Sequence, residues 1–138
     1  VDLGAVGERT LTVDCDVLQA DGGTRTAAIT GSYVALNQAL RVLRTLGDGL
    51  DLPLKCAIAS TSVGLVDGQI LLDLSYEEDS RAEADFNIVM TDAGEFVEVQ
   101  GTAEGGSFSS AMLDEVLDVA KKGIVELLRV QREAVDNL

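Results

Sequence analysis

Apolar and polar residues alternate through residues 9–19. Leu11, Val13, Cys15 and Val17 fall on one side; Thr10, Thr12, Asp14 and Asp16 fall on the other. A period of two belongs to a half-buried strand, and this one runs into the turn signal Ala20-Asp21-Gly22-Gly23. Beyond Thr24-Arg25-Thr26 the period lengthens. Ile29, Tyr33, Leu36, Leu40 and Leu43 recur at helical spacing and predict a helix over 27–46, ended by Gly47-Asp48-Gly49. Pro53 opens a new stretch. Residues 54–66 read as a strand rich in Ala, Ile and Val, Asp67-Gly68 as a hairpin turn, and 69–74 as the returning strand. Residues 76–81 are polar and read as a loop. Two further strands are predicted over 84–91 and 95–100, around the turn Asp92-Ala93-Gly94. Ser109 or Ser110 can cap a closing helix with the apolar stripe Met112, Leu113, Val116, Leu117, Ala120, Ile124, Leu127 and Leu128. Gly123 is placed to bend or divide it.

The order is strand, helix, four strands, helix. Hairpin-linked strands with helices set apart from them predict an α+β fold, a mixed or antiparallel sheet packed with helices. The break over 46–53 divides the chain into residues 1–49 and 50–138. One strand and one helix are too little to hold a core, so the first block needs the second block or a further N-terminal part.

Composition adds a constraint. The chain has 138 residues, 46% of them hydrophobic, enough for a real core. Ten basic against 24 acidic residues give a formal net charge of -14. That balance opposes RNA or DNA binding by this chain alone, because phosphate backbones need Lys and Arg to replace counterions. With no histidine, Ser-His-Asp and Cys-His catalysis and histidine metal sites are excluded. Cys15 and Cys56 form neither a disulfide framework nor a zinc motif and read as free thiols in a reducing compartment. No apolar run is long enough to cross a bilayer, so no membrane partner is expected. The start, Val-Asp-Leu-Gly, lacks an initiator Met and the features of a signal peptide. The chain therefore reads as a fragment or a processed product.

Three segments are candidates for chemistry. Asp21-Gly22-Gly23-Thr24-Arg25-Thr26 sits where a strand enters a helix. Glycines let backbone approach a ligand, a helix N-terminus attracts an anion, and Arg25 adds a fork of donors matched to phosphate. The same residues also suit a tight turn with a capping Thr and a solvated Arg. In Asp73-Leu74-Ser75-Tyr76-Glu77-Glu78-Asp79, four carboxylates gather at the end of an apolar strand. Oxygen ligands of this kind suit Mg2+, although a solvated acidic loop would look alike. Gln100-Gly101-Thr102-Ala103-Glu104-Gly105-Gly106 reads as an anion-approach loop or as a flexible strand-to-helix connection. Gly7-Glu8-Arg9 reads as a turn with a surface ion pair.

Taken together, these residues resemble one family. Gly7-Glu8-Arg9-Thr10, Asp14-Cys15-Asp16-Val17, Gln19-Ala20-Asp21-Gly22-Gly23-Thr24-Arg25-Thr26-Ala27 and Ile29-Thr30-Gly31 are similar to the central motif of the ribonuclease PH family. Leu72-Asp73-Leu74 with Tyr76-Glu77-Glu78-Asp79-Ser80 resembles its acidic motif. Phe96-Val97-Glu98-Val99-Gln100-Gly101-Thr102 and Phe108-Ser109 resemble its closing segment. The likeness runs through nearly the whole chain in the family's order.

The resemblance implies the C-terminal portion of a phosphate-dependent 3′-5′ exoribonuclease, a nucleotidyltransferase that processes tRNA 3′ ends in the cytoplasm. Residues 1–49 would end the first, phosphate-loop domain, and 50–138 would be the second domain with its C-terminal helix. By the same resemblance Gly23, Thr24 and Arg25 bind the attacking phosphate. Asp73 and Asp79 serve catalysis and hold magnesium, with Asp73 open to a role as metal ligand or as general acid. Inorganic phosphate is the co-substrate and RNA the substrate. The expected partners are an N-terminal half carrying further basic residues and other copies in a ring hexamer. The isolated chain is expected to be nearly inactive. The alternative within the same likeness is a non-catalytic ring subunit or assembly module of an exosome-like complex. A small acidic metal- or anion-binding protein would account for the loops only one at a time.

Overall fold

A computed structural model describes residues 1–45 and 53–137. The predicted helix end at Leu46, the stop Gly47-Asp48-Gly49 and the division at residue 49 lie outside the described residues. The elements run α1 (Leu3–Val6), α2 (Thr24–Thr45), β1 (Ile58–Val66), β2 (Gln69–Leu72), α3 (Tyr76–Asp79), β3 (Ala84–Thr91), β4 (Phe96–Ala103) and α4 (Ser110–Asp136). The strands form one antiparallel sheet in the order β2-β1-β3-β4. The α+β reading holds, and the sheet is antiparallel rather than mixed.

Local chemistry explains the hairpins. Asp67 (φ 50°) and Gly68 (φ 74°) are both left-handed, which matches the twist of two strands joined by two residues. One face of the sheet, with Ala59, Val63, Phe86, Ile88 and Met90, packs on the α4 stripe of Val116, Ala120 and Ile124. Ser109 caps α4 by accepting from the Met112 N–H at 3.1 Å. The helix runs unbroken through Gly123. That glycine serves packing rather than a bend, because a Cβ there would stand 2.8 Å from Leu72 Cδ1.

The short β2 pairs with Val63–Val66 of β1, and among the described residues no strand pairs with the other half of that β1 edge. Side chains cover it instead. The Thr30 hydroxyl accepts the Ser60 N–H at 3.0 Å, and the Gln131 amide donates to the Ile58 carbonyl at 2.9 Å. These bonds hold α2 and α4 against the sheet and satisfy an edge that would otherwise be open to pairing.

Several expectations are corrected. Residues 9–19 form no strand, and Val13 and Val17 are each 52% exposed. The alternation is real, but no neighbouring strand among the described residues offers it a ladder. Helix α2 begins at Thr24, three residues ahead of the predicted start. Residues 76–79 are a helical turn rather than a loop, because Ser75 and Glu78 form a reciprocal capping box. Residues 100–103 complete β4. Gly101 there makes room for the Phe86 ring, whose Cδ1 lies 2.4 Å from where a Cβ would stand. Among the described residues no helix is long and apolar enough to cross a membrane.

Candidate functional site

The two blocks meet at a turn too tight for a side chain. A Cβ on Gly22 would lie 2.0 Å from the Leu74 carbonyl oxygen, so only glycine lets this backbone close on the end of β2. Asp21 locks the junction. Its Oδ1 accepts the Tyr76 N–H at 2.7 Å and the Gly22 N–H at 2.9 Å. Those two bonds, the Tyr76 one foremost, hold its carboxyl below the usual carboxylate range. Gly23 follows at φ 69°, and its carbonyl accepts the first helical bond of α2 from Ala27 at 2.9 Å.

Asp73 stands opposite. It lies just past β2 in a left-handed conformation, φ 57°, which Asp tolerates better than most residues. Its N–H donates to the Ser62 carbonyl at 2.8 Å, and the next N–H, of Leu74, donates to the Ser62 hydroxyl at 3.1 Å. The Asp73 carboxylate comes within 3.7 Å of the Cβ position of Gly23. A cavity of about 590 Å³ opens here, its lining including Gly22, Gly23, Thr26, Asp73 and Lys122. One wall is therefore the N-terminus of a 22-residue helix, whose first amides have no partner within the helix, and another carries a carboxylate.

The remaining predicted site residues lie around this cavity rather than in its lining. Thr24 lines a separate recess beside Cys15. Arg25 reaches Glu98 of β4 at 2.9 Å. Each member of that pair favours the other's charge, so the guanidinium pKa is raised and the Glu98 carboxyl pKa lowered. Both side chains are partly exposed, 52% and 37%, which makes the pair weak and salt-sensitive. Asp79 ends α3 and lines a second recess with Arg81, Asp85 and Glu104. There burial, reinforced by the charges of Asp79 and Glu104, raises the Asp85 pKa. The structure thus joins Gly23 to Asp73 and sets Asp79 with a different group of carboxylates.

Glu78 is engaged in the capping box. Its carboxylate accepts the Ser75 N–H at 2.8 Å, which lowers its pKa. Among the described residues no cluster of three or more Asp, Glu, Cys or His side chains is placed to hold a metal by itself. Asp73 supplies a single carboxylate at the cavity, a ligand of the kind magnesium takes alongside water and substrate phosphates, while Asp79 stands apart in the second recess. The sequence places Thr26 in the candidate loop but gives it no role of its own, and it singles out neither Lys122 nor Gln131. Thr26 left a signal, a second Thr four residues before Thr30 on one helix face. Lys122 and Gln131 come from the far end of the chain and left none.

Residues 56–123 match the model for the 3′ exoribonuclease family, domain 2. Ribonuclease PH of Corynebacterium efficiens is 58% identical over 135 residues, covering 98% of this chain and 55% of the relative. Ribonuclease PH of Nocardia farcinica is 58% identical over 136 residues, covering 98% and 53%. That of Mycolicibacterium smegmatis is 57% identical over 137 residues, covering 99% and 53%. The chain thus spans about half the length of the curated relatives it matches. A crystal structure of rice Rrp46 shares the fold with a TM-score of 0.68 at 16% identity, covering 87% of this chain and 51% of that one.

Proposed function

We infer, from the premise that this chain belongs to the 3′ exoribonuclease family of ribonuclease PH, that it carries part of the active site of a phosphate-dependent 3′-5′ exoribonuclease. The observation that carries the reading is the junction at Gly22. It sets the N-terminus of α2 and the Asp73 carboxylate on one cavity. The family match from residue 56 supports residues 1–49 as the end of a first domain and 50–138 as the second.

In the proposed reaction inorganic phosphate docks at the α2 N-terminus, held by amides of the Gly23–Thr24–Arg25 turn, the Thr24 hydroxyl and the Arg25 guanidinium. The exposed Glu98 pair is weak enough to yield Arg25 to a doubly charged anion. A phosphate oxygen bonds to the terminal phosphorus of the RNA, and the bond from that phosphorus to the preceding 3′ oxygen breaks. The 3′ oxygen takes up a proton and a nucleoside diphosphate leaves. No side-chain nucleophile is needed, consistent with a chain that lacks histidine. Asp73 would hold magnesium together with water and phosphate oxygens, and the ion would supply charge neutralisation between the two phosphates; Asp79, which lines the second recess, is left out of this step. Asp73 alternatively delivers the proton to the departing oxygen.

With a net charge of -14 the chain alone repels RNA, so the basic track for tRNA 3′ ends is assigned to an N-terminal half or to neighbouring copies in a ring hexamer. The isolated chain is accordingly nearly inactive. Free Cys15 and Cys56 fit a reducing, cytoplasmic setting. The test is release of nucleoside diphosphates from a short RNA by the full-length protein, with and without phosphate and magnesium. Asp73→Asn is expected to lower turnover by about a hundredfold or more. Full activity in Asp73→Asn removes Asp73 from the site. No phosphate-dependent release from the unaltered protein favours the non-catalytic ring subunit.

A further inference from the structure

Beside the cavity, polar side chains form a continuous hydrogen-bonded strip that ends at the turn. The Thr26 hydroxyl donates to the Gly23 carbonyl at 2.8 Å, on a residue only 3% exposed. One helical turn on, the Thr30 hydroxyl lies 3.1 Å from the Thr26 carbonyl and 3.3 Å from the Ser60 carbonyl, while accepting the Ser60 N–H. The Thr30 carbonyl accepts from the buried Gln131 amide at 2.9 Å, and the same amide bonds the Ile58 carbonyl. The strip thus runs from α4 through the edge of β1 and along α2 to Gly23.

Helix stability alone does not call for it. Threonine is a modest helix former, and buried amides and hydroxyls cost free energy unless paired. The Gly23 carbonyl already has its helical donor in Ala27, so the Thr26 bond is a second hold on the same oxygen. A trans peptide is a rigid plane with its carbonyl and its N–H pointing opposite ways. Fixing the Gly23 carbonyl from two sides therefore aims the Thr24 N–H outward from the helix end, where a left-handed glycine would otherwise let the plane rock.

We propose that Thr26 is a positioning residue for the attacking phosphate: it holds the Gly23–Thr24 peptide so that the Thr24 N–H meets the anion, and Thr30 and Gln131 anchor it to the sheet. The assignment rests on the reading that phosphate binds at this helix end. The experiment measures nucleoside diphosphate release by the full-length protein at varied phosphate, for the unaltered protein, Thr26→Ser and Thr26→Val, with thermal melting alongside. Thr26→Val keeps the shape and loses the hydroxyl. It is expected to raise KM for phosphate about tenfold, with KM for RNA changed less than about twofold. Thr26→Ser restores the hydroxyl and the phosphate KM. A lower melting temperature with an unchanged phosphate KM overturns the proposal, since a purely structural threonine behaves that way. If Thr26→Val does not fold, Thr30→Val takes the same readout one turn away, and an unchanged phosphate KM there overturns it equally. An unaltered protein without phosphate-dependent release sinks the parent reading. An active one whose variants keep their phosphate KM sinks only the positioning role.

Discussion

A single methyl group at Gly22 tests the junction on which the site depends. An ideal Cβ there stands 2.0 Å from the Leu74 carbonyl oxygen and 2.9 Å from the Ser75 carbonyl carbon. Both are backbone atoms, so no rotamer relieves the clash. Bringing the nearer contact to a tolerable distance parts the two backbones by about 1 Å. The same shift stretches the Asp21 bond to the Tyr76 N–H, now 2.7 Å. Overpacking of this kind costs about 1–3 kcal/mol, which a domain with roughly 5–15 kcal/mol of stability survives. The effect on chemistry is larger, because misplacing a reacting group by about 1 Å can lower a rate by about a hundredfold. Gly22→Ala in the full-length protein is thus expected to fold, with a lower urea midpoint, and to lose about a hundredfold of its phosphorolysis. Gly31→Ala is the matched control. It lies in α2, the helix that this turn leads into, and its new Cβ meets nothing within 4 Å. Removing a helix-interior glycine stabilises by about 0.5–1 kcal/mol, so its midpoint rises and its activity stays. Urea denaturation and diphosphate release read both variants. A Gly22→Ala protein as active as the parent would refute the claim that the turn must close on residues 74 and 75.

Asp73 combines a left-handed backbone with a carboxylate, and two variants separate them. Asp73→Asn keeps the conformation and the melting temperature, whereas Asp73→Ala adds about 1 kcal/mol of backbone strain visible by calorimetry; equal melting temperatures would count against the strain. Glu98→Gln frees Arg25 and is expected to lower KM for phosphate about two- to fivefold at low salt, fading as salt rises. An unchanged KM would mean that Glu98 does not compete with phosphate. Asp85 has a raised pKa, so the folded state binds its proton more tightly than the unfolded state does. Asp85→Asn should therefore stabilise the protein above the raised folded value, the gain shrinking as pH falls to the ordinary carboxylate range. Melting temperatures across pH check this, and a gain that grows in acid reverses the assigned sign.

The elements that local pattern could specify were legible before any coordinates. Asp67-Gly68 needs positive φ at two successive residues, and few other residue pairs supply it cheaply. The α4 stripe repeats at helical spacing and buries Val116, Ala120 and Ile124 as expected. Residues 9–19 show the limit of pattern. Alternation states which side of a strand would be buried, but a strand also needs a neighbour, and none is described beside it. Residues 76–79 were misread because a capping box is a contact between two side chains and two backbone groups, compatible with a polar loop until Ser75 and Glu78 are seen to reciprocate.

At the site the division is similar. That an anion loop and a carboxylate lay on this chain was visible in residues 21–26 and 73–79 taken separately. By themselves these residues determined a helix start rich in free amides, an acidic strand end, and a chemistry that uses no histidine. Only tertiary structure decided that Gly22 closes on Leu74, that Arg25 rests on Glu98, that Asp79 turns to a second recess, and that Thr26 hangs from Gln131 through Thr30. Each of these is a contact between segments far apart in the chain. Such contacts depend on how α2 and α4 settle on an edge left open by a short β2, and no local periodicity encodes where that edge falls.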